Sequence, residues 1–331
     1  MVKSNEEKIR FYQLVKEILI IGGGAMGSAF TFPCIDNGHD ITLMGSPLEN
    51  EQIENLKKDS FHKHLECKLS DKIVFSFAAN LKEEIKKNYN FIVIGVNSKG
   101  INWISNEINT SNSKLPILLL TKGLSIKNNK LEILTNLFKN SNISAVAGPC
   151  LAKDLSKRNK TGVVFTNKNI SSAKDIGKLV KTNYYFMDYS NDIIGVEMCA
   201  AIKNFYSMVI GSSKDLNTAA ILMQKSVIEM GRFVKLFGGS EQTVYGLAGL
   251  GDLYVSIAGG RNRKMGQHLG DGYLYSQAKT KFMPNDTVEG AELAFEIGPK
   301  ILKDLSKKDF PIMCSIIESV CNDKKFVINF L

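Results

Sequence analysis

The sequence predicts an α/β protein in two parts, a doubly wound parallel sheet followed by an all-α C-terminal domain. Three observations carry this. Short runs that are apolar at almost every residue, such as Ile18-Leu-Ile-Ile21 and Phe91-Ile-Val-Ile-Gly-Val96, recur through the first half; strands apolar on both faces belong in a parallel sheet covered on each side. A glycine-rich turn, Gly22-x-Gly24-x-x-Gly27, directly follows the first of these runs. From Ile193 onward the apolar residues fall at helical spacing instead.

In order along the chain, residues 1–16 read as a polar amphipathic extension. Glu17–Ile21 is the first strand, and a helix of small residues runs from the glycine turn to about Asn37. The Asn37-Gly38 turn leads into a second strand, Asp40–Met44. Phe91–Val96, Pro116–Leu120 and Ile143–Ala147 are further buried strands, and Gly162–Thr166 and Tyr184–Met187 extend the pattern. Helices are then expected at Glu197–Val209, Thr218–Phe237, Thr287–Lys303 and Cys314–Val320. The domains expected are a nucleotide-binding part, 17–191, and a helical substrate-binding part, 192–331. A chain of 331 residues suits two domains of ordinary size.

With 44% hydrophobic and 23% charged residues the composition is that of a globular protein. The formal charge of +9 comes from lysines scattered along the whole length, with no basic stripe interleaved with aromatics. That excludes a nucleic-acid reader and suits a cationic surface that gathers anionic small molecules. Six cysteines show no C-x-x-C pair and no Cys/His spacing for zinc, so no metal site is expected and the thiols read as reduced. The charged N-terminus lacks the apolar core of a signal peptide, and Ile18–Phe32 is too short and glycine-rich to span a bilayer. A cytoplasmic protein without membrane insertion is expected.

Placed between a strand and a helix, Gly22-x-Gly24-x-x-Gly27 matches the dinucleotide fingerprint of a Rossmann-type sheet. The first glycine makes the tight turn, the second admits the pyrophosphate, and the third packs helix on strand. Cofactor choice is normally read about 20 residues further on, at the end of the second strand. Gly45-Ser46 stands there, with neither an acid nor an arginine, so NAD and NADP both remain open.

The second half holds the densest chemistry, Gly246-Leu-Ala-Gly-Leu-Gly-Asp252 through Ser256 to Gly260-Arg261-Asn262-Arg263. Two of the chain's five arginines fall in this one run. Arginine supplies a fork of donors that grips phosphate, and glycines let backbone N–H groups approach a ligand. Lys122, in Thr121-Lys-Gly123, follows a buried strand at the sheet's carboxyl edge, where ligand groups gather. Lys203 lies in an apolar helix start, Gly195-Val-Glu-Met-Cys-Ala-Ala-Ile-Lys203-Asn204. A buried lysine is costly unless paired or deprotonated. Hydride exchange with a secondary alcohol needs a group that takes and returns the hydroxyl proton, and a lysine drawn from about 10.4 towards 7 or 8 serves. Burial, Lys122 and a positive nicotinamide ring would all draw it that way.

Together these motifs, with Gly148-Pro-Cys150 and Val288-Glu289-Gly290, resemble bacterial NAD(P)-dependent glycerol-3-phosphate dehydrogenase, in order, from Ile18 to about Val320. The resemblance implies interconversion of sn-glycerol 3-phosphate and dihydroxyacetone phosphate, supplying glycerol phosphate for phospholipid synthesis. It implies Lys203 as general base, with Asp252 and Lys122 also in the catalytic set. Substrate contacts fall to Lys122, Gly148, Cys150, Lys203, Asn204, Asp252, Gly260, Arg261 and Asn262, with Ser256 nearby. NAD or NADP would meet Gly22, Gly24, Ala25, Met26, Gly27, Ser46, Lys122, Ala152, Arg261 and Glu289. Phosphate is assigned to Arg261 by family position. The partner is a three-carbon polyol phosphate, and a homodimer is the family's habit.

The chain departs from the family pattern at four places. Met26 replaces an aromatic, Cys150 and Gly260 replace hydroxyl residues, and Lys225 stands where many members place arginine. The rivals are a β-hydroxyacid or ketopantoate-type reductase, which lacks the Gly-Leu-Gly-Asp and Gly-Arg-Asn-Arg run, and a silent nucleotide sensor, which would lack Lys203 or Asp252.

Overall fold

A computed structural model describes residues 15–329; the expected N-terminal extension falls almost wholly outside the described residues. By packing, the chain divides into two compact units. One contains residues up to 121, 137–146 and 150–191; the other contains 122–136, 147–149 and 192 onward. Lys122 and Gly148 therefore belong by packing to the helical unit, although they lie between strands of the sheet in sequence.

The first unit is built on an eight-stranded sheet. Its strands are β1 (Glu17–Ile21), β2 (Asp40–Met44), β3 (Val74–Ser76), β4 (Phe91–Ile94), β5 (Ile117–Leu119), β6 (Ile143–Ala147), β7 (Thr161–Thr166) and β8 (Tyr185–Ser190). They lie in the order β3-β2-β1-β4-β5-β6-β7-β8, and parallel pairing links β3 to β2, β2 to β1, β1 to β4, β4 to β5, β5 to β6 and β7 to β8. Strand order reverses between β1 and β4, which opens a crevice at their carboxyl ends. Seven of the eight strands fall where the apolar runs predict them. β3 was not anticipated: it is three residues long at the sheet edge, and its Val74 is exposed. A core of Ile18, Ile20, Phe30, Leu43, Val93, Leu118, Phe165 and Tyr185 fills the space between sheet and helices.

At the crevice, β1 turns into the helix Ala25–Asp36. Gly22 has φ +119°, and a Cβ there would lie 2.4 Å from the Gly95 carbonyl carbon; a Cβ on Gly27 would lie 2.0 Å from the Gly22 oxygen. Only glycine fits at either place.

The second unit is helical, centred on Ile193–Gly211, which begins four residues before the expected start. This helix is long and apolar enough to cross a membrane by composition, yet 89% of that apolar window is buried inside the protein. Its apolarity is accounted for by its place at the centre of a core. It packs closely on Arg261–Gly270, where Cβ atoms on Gly266 and Gly270 would lie 2.0 and 2.2 Å from the carbonyl oxygens of Met208 and Ser212. Leu216–Leu236, Glu289–Asp304 and Pro311–Cys321 complete the core, each within a few residues of its predicted span. Two antiparallel strands, Leu124–Lys127 and Lys130–Ile133, project from the segment that starts at Lys122.

That segment is tied to the central helix by Glu197. Its buried carboxyl accepts the Thr135 N–H at 3.2 Å and also the Thr135 hydroxyl. Burial raises its pKa to about 7, against the opposing pull of the Thr135 donors. The folded state thus holds a proton that the unfolded chain releases above about 4.5, so this contribution is complete below pH 4.5 and is lost as pH rises through about 7. The upper bound is ~3 kcal/mol. Glu197→Gln, which keeps the shape and cannot ionise, is expected to flatten the fall of melting temperature between pH 5 and 7.5. An unchanged slope in that variant would show that Glu197 does not titrate there.

Candidate active site

Within the helical unit, four elements deliver three polar side chains and one backbone carbonyl to one point. Lys203 comes from the central helix, Lys122 from the start of its segment, Gly148 from the loop after β6, and Asp252 from the glycine-rich run. The run's backbone explains how Asp252 is aimed. Leu247–Gly251 forms a π-helical turn, and a Cβ on Gly249 would lie 2.2 Å from the Val244 carbonyl oxygen. This tight turn ends at Asp252, which opens the helix Asp252–Gly259. Gly249 therefore serves backbone packing, whereas the sequence assigns the run's glycines to ligand approach.

Asp252 is only 3% exposed and receives two ammonium groups. Lys203 Nζ donates to its Oδ1, and Lys122 Nζ donates to its Oδ2 at 2.7 Å. Lys203 Nζ also donates to Ser256 Oγ at 2.9 Å, while that hydroxyl donates to the Asp252 carbonyl at 2.8 Å. Lys122 reaches the Gly148 carbonyl at 3.2 Å; Gly148 itself has φ +129°. Burial would raise the Asp252 carboxyl, but the Lys122 and Lys203 charges outweigh it and hold the pKa below the usual carboxylate value. Lys203 moves the other way. Burial, assisted by the Lys122 charge and opposed by Asp252, draws it from 10.5 to about 8. A buried amine that exchanges its proton near neutral pH is what acid–base work on an alcohol requires.

A second polar cluster begins one residue later. Asn262, buried, donates through Nδ2 to Asn204 Oδ1 at 3.0 Å and accepts the Gly290 N–H at 2.8 Å. Arg261, at the first turn of its helix, is ion-paired with Glu289, both about half exposed. Gly260 precedes that helix with extended backbone and gives it no side-chain cap. The predicted residues of this unit thus fall into a lysine–aspartate cluster, an asparagine pair and an arginine–glutamate pair.

The remaining predicted residues lie in the sheet unit. Gly22, Gly24, Ala25, Met26 and Gly27 form the turn after β1, with Met26 half-buried against the core. The helix from Ala25 has no side-chain cap, so its first N–H groups are left for an anion, as the glycine cradle requires for a pyrophosphate. Cys150 and Ala152 pack against the same core at the loop after β6 and the short helix Ala152–Ser156. Ser46 lies beyond β2, and its N–H donates to Glu49. Glu49 lies three residues beyond Ser46, past the strand end where spacing looks for an acid, and only its contacts with Ser46 and Gly23 bring it to the turn. Glu197, in the Gly195-Val-Glu motif, likewise shows its role only through its contacts with Thr135.

Sequence models of the NAD-dependent glycerol-3-phosphate dehydrogenases match both parts of the chain, the N-terminal model over residues 17–173 and the C-terminal model over 192–330. The chain belongs to this family. Among its relatives, an NADP(+)-dependent glycerol-3-phosphate dehydrogenase of Archaeoglobus fulgidus is 30% identical over 88% of this chain and 92% of its own. A glycerol-3-phosphate dehydrogenase [NAD(P)+] of Clostridium botulinum is 28% identical over 87% and 89%. The crystal structure of a glycerol-3-phosphate dehydrogenase from Coxiella burnetii superimposes with TM-score 0.82 at 23% identity, covering 94% of this chain and 96% of that one, a likeness of fold. The enzyme interconverts sn-glycerol 3-phosphate and dihydroxyacetone phosphate with a nicotinamide dinucleotide.

Proposed function

We propose that Lys203 is the proton-transferring group of this dehydrogenase, supported above all by its buried Nζ held between Asp252 and Ser256. In the oxidising direction the neutral amine accepts the proton of the C2 hydroxyl of sn-glycerol 3-phosphate as hydride leaves that carbon. In the reducing direction the ammonium returns it. The bound nicotinamide supplies or receives the hydride. Lys122 adds a second positive charge beside oxygen that develops alkoxide character, and Asp252 holds both amines in place. Arg261 and Asn262 bind the phosphate, with Asn204 orienting Asn262. Gly148 and Cys150 line the substrate, and Glu289 and Ala152 stand towards the cofactor. The product serves glycerophospholipid synthesis in the cytoplasm.

The purified enzyme is expected to consume NADH or NADPH when given dihydroxyacetone phosphate, followed at 340 nm. Cofactor binding without turnover, tested with each dinucleotide, would overturn the enzyme reading and leave a nucleotide sensor. Turnover of ketopantoate or a β-hydroxyacid in preference to the polyol phosphate would overturn the substrate assignment.

A further inference from the structure

Glu49 is the first residue after Pro47-Leu48 in the loop leaving β2, and it precedes the helix Asn50–Asp59. An acid in the N-cap position would ordinarily turn forward to its own helix. This one makes no side-chain cap there. Its carboxylate Oε2 turns back and accepts the N–H of Ser46 at 2.7 Å and of Gly23 at 3.1 Å. Oε1 lies 3.2 Å from where a Cβ on Gly24 would stand. A carboxylate thus sits against the second and third residues of the glycine turn and the end of β2, all within one unit. The next peptide is held as well, the Gly23 carbonyl accepting Ser28 Oγ at 2.9 Å and lying 3.1 Å from His62 Nε2.

In a sheet of this order, the adenosine ribose of a dinucleotide lies at the carboxyl end of the second strand, and an acid about 20 residues past the fingerprint holds its hydroxyls. Glu49 is twenty-two residues beyond Gly27. We propose that Glu49 selects cofactor: its carboxylate accepts the ribose 2′- and 3′-hydroxyls of NAD(H) and repels the 2′-phosphate of NADP(H). This deepens the family's dinucleotide use and rests on it.

The local charges agree. From Gly45 to Leu56 the chain holds three glutamates, Glu49, Glu51 and Glu54, and no lysine, arginine or histidine. A 2′-phosphate needs at least one cation there. Lys57, the next in sequence, lies over the Phe77 ring, 4.1 Å from its centroid. Leu48, 82% exposed on the same loop, offers an apolar surface to a flat base.

The test is calorimetric titration of the full-length enzyme with NADH and with NADPH, without substrate. Wild type is expected to bind NADH at least ~10-fold tighter, since like charges in juxtaposition exclude the wrong partner. Glu49→Gln, with its fold checked by circular dichroism, is expected to narrow that ratio by ~10-fold, mainly through tighter NADPH binding. Equal binding by wild type, a preference for NADPH, or an unchanged ratio in Glu49→Gln would each overturn the assignment while leaving dinucleotide use intact. Binding of neither nucleotide would overturn the cofactor reading beneath it and this assignment together.

Discussion

Truncating Lys203 to alanine is expected to lower kcat in both directions by ~10²- to 10⁴-fold, the usual loss on removing a general acid–base group, while NADH and NADPH affinities change little. The amine is buried in the helical unit, away from the glycine turn in sequence, so its loss strikes proton transfer before it strikes dinucleotide binding. The pH profile is the sharper readout. With Lys203 near 8 in the folded enzyme, the neutral form needed for oxidising glycerol phosphate grows as pH rises through 8. The ammonium form needed for reducing dihydroxyacetone phosphate declines over the same interval. The two directions should therefore show opposite slopes around one midpoint in wild type, and that shared midpoint should vanish in Lys203→Ala. A variant that keeps most of its rate, or that keeps the midpoint, would remove Lys203 from the chemistry.

The alternative outcome, equal loss of turnover and of cofactor affinity, would point to a collapsed core. Lys203→Ala leaves Asp252 paired with Lys122 at 2.7 Å. The carboxylate therefore keeps a partner, and the structural cost should stay modest.

Much of this was legible because local chemistry and tertiary role coincide. Ile18 to Ile21 are wholly buried, as an all-apolar run must be in a covered parallel sheet. The glycine turn is dictated by contacts that a single Cβ would destroy. Lys203 announces itself by polarity: a lysine among Ala, Ile and Phe on a helix has few reasons to be there. What escaped sequence reading depends on distance in space. Val74–Ser76 is too short and too exposed at the sheet edge for an apolar run to mark it. The close fit of Gly266 on Met208 shows no signature beyond a glycine in a helix. Glu49 reaches the fingerprint because its side chain turns away from its own helix, and spacing alone does not reveal that. Thr135 and Glu197 are partners across sixty-two positions of chain, with nothing in either neighbourhood to pair them.

Asp252→Asn is expected to be the more damaging change to the site as a whole. Lys203 and Lys122 both donate to this carboxylate. Removing its charge leaves two amines converging on a neutral amide. Breaking a buried ion pair from one side costs about 3 to 5 kcal/mol, because the remaining charge is uncompensated. Lys203 can relieve part of this by releasing its proton, which places the expected loss in urea unfolding at the lower end. That release gives the variant a signature that mere instability lacks. With Asp252 neutral, the influence that raises the Lys203 pKa is gone while burial and Lys122 still lower it, so the midpoint must fall below 8. Reduction of dihydroxyacetone phosphate, which needs the ammonium, should then be confined to lower pH and depressed at neutrality more than oxidation is. A double variant, Lys203→Met with Asp252→Asn, separates the two effects. It removes the stranded buried charge together with its partner, so it should recover stability relative to Asp252→Asn and remain without turnover. An Asp252→Asn enzyme whose midpoint stays at 8, or a double variant no more stable than the single one, would show that Asp252 does not hold the two lysines as a charged pair.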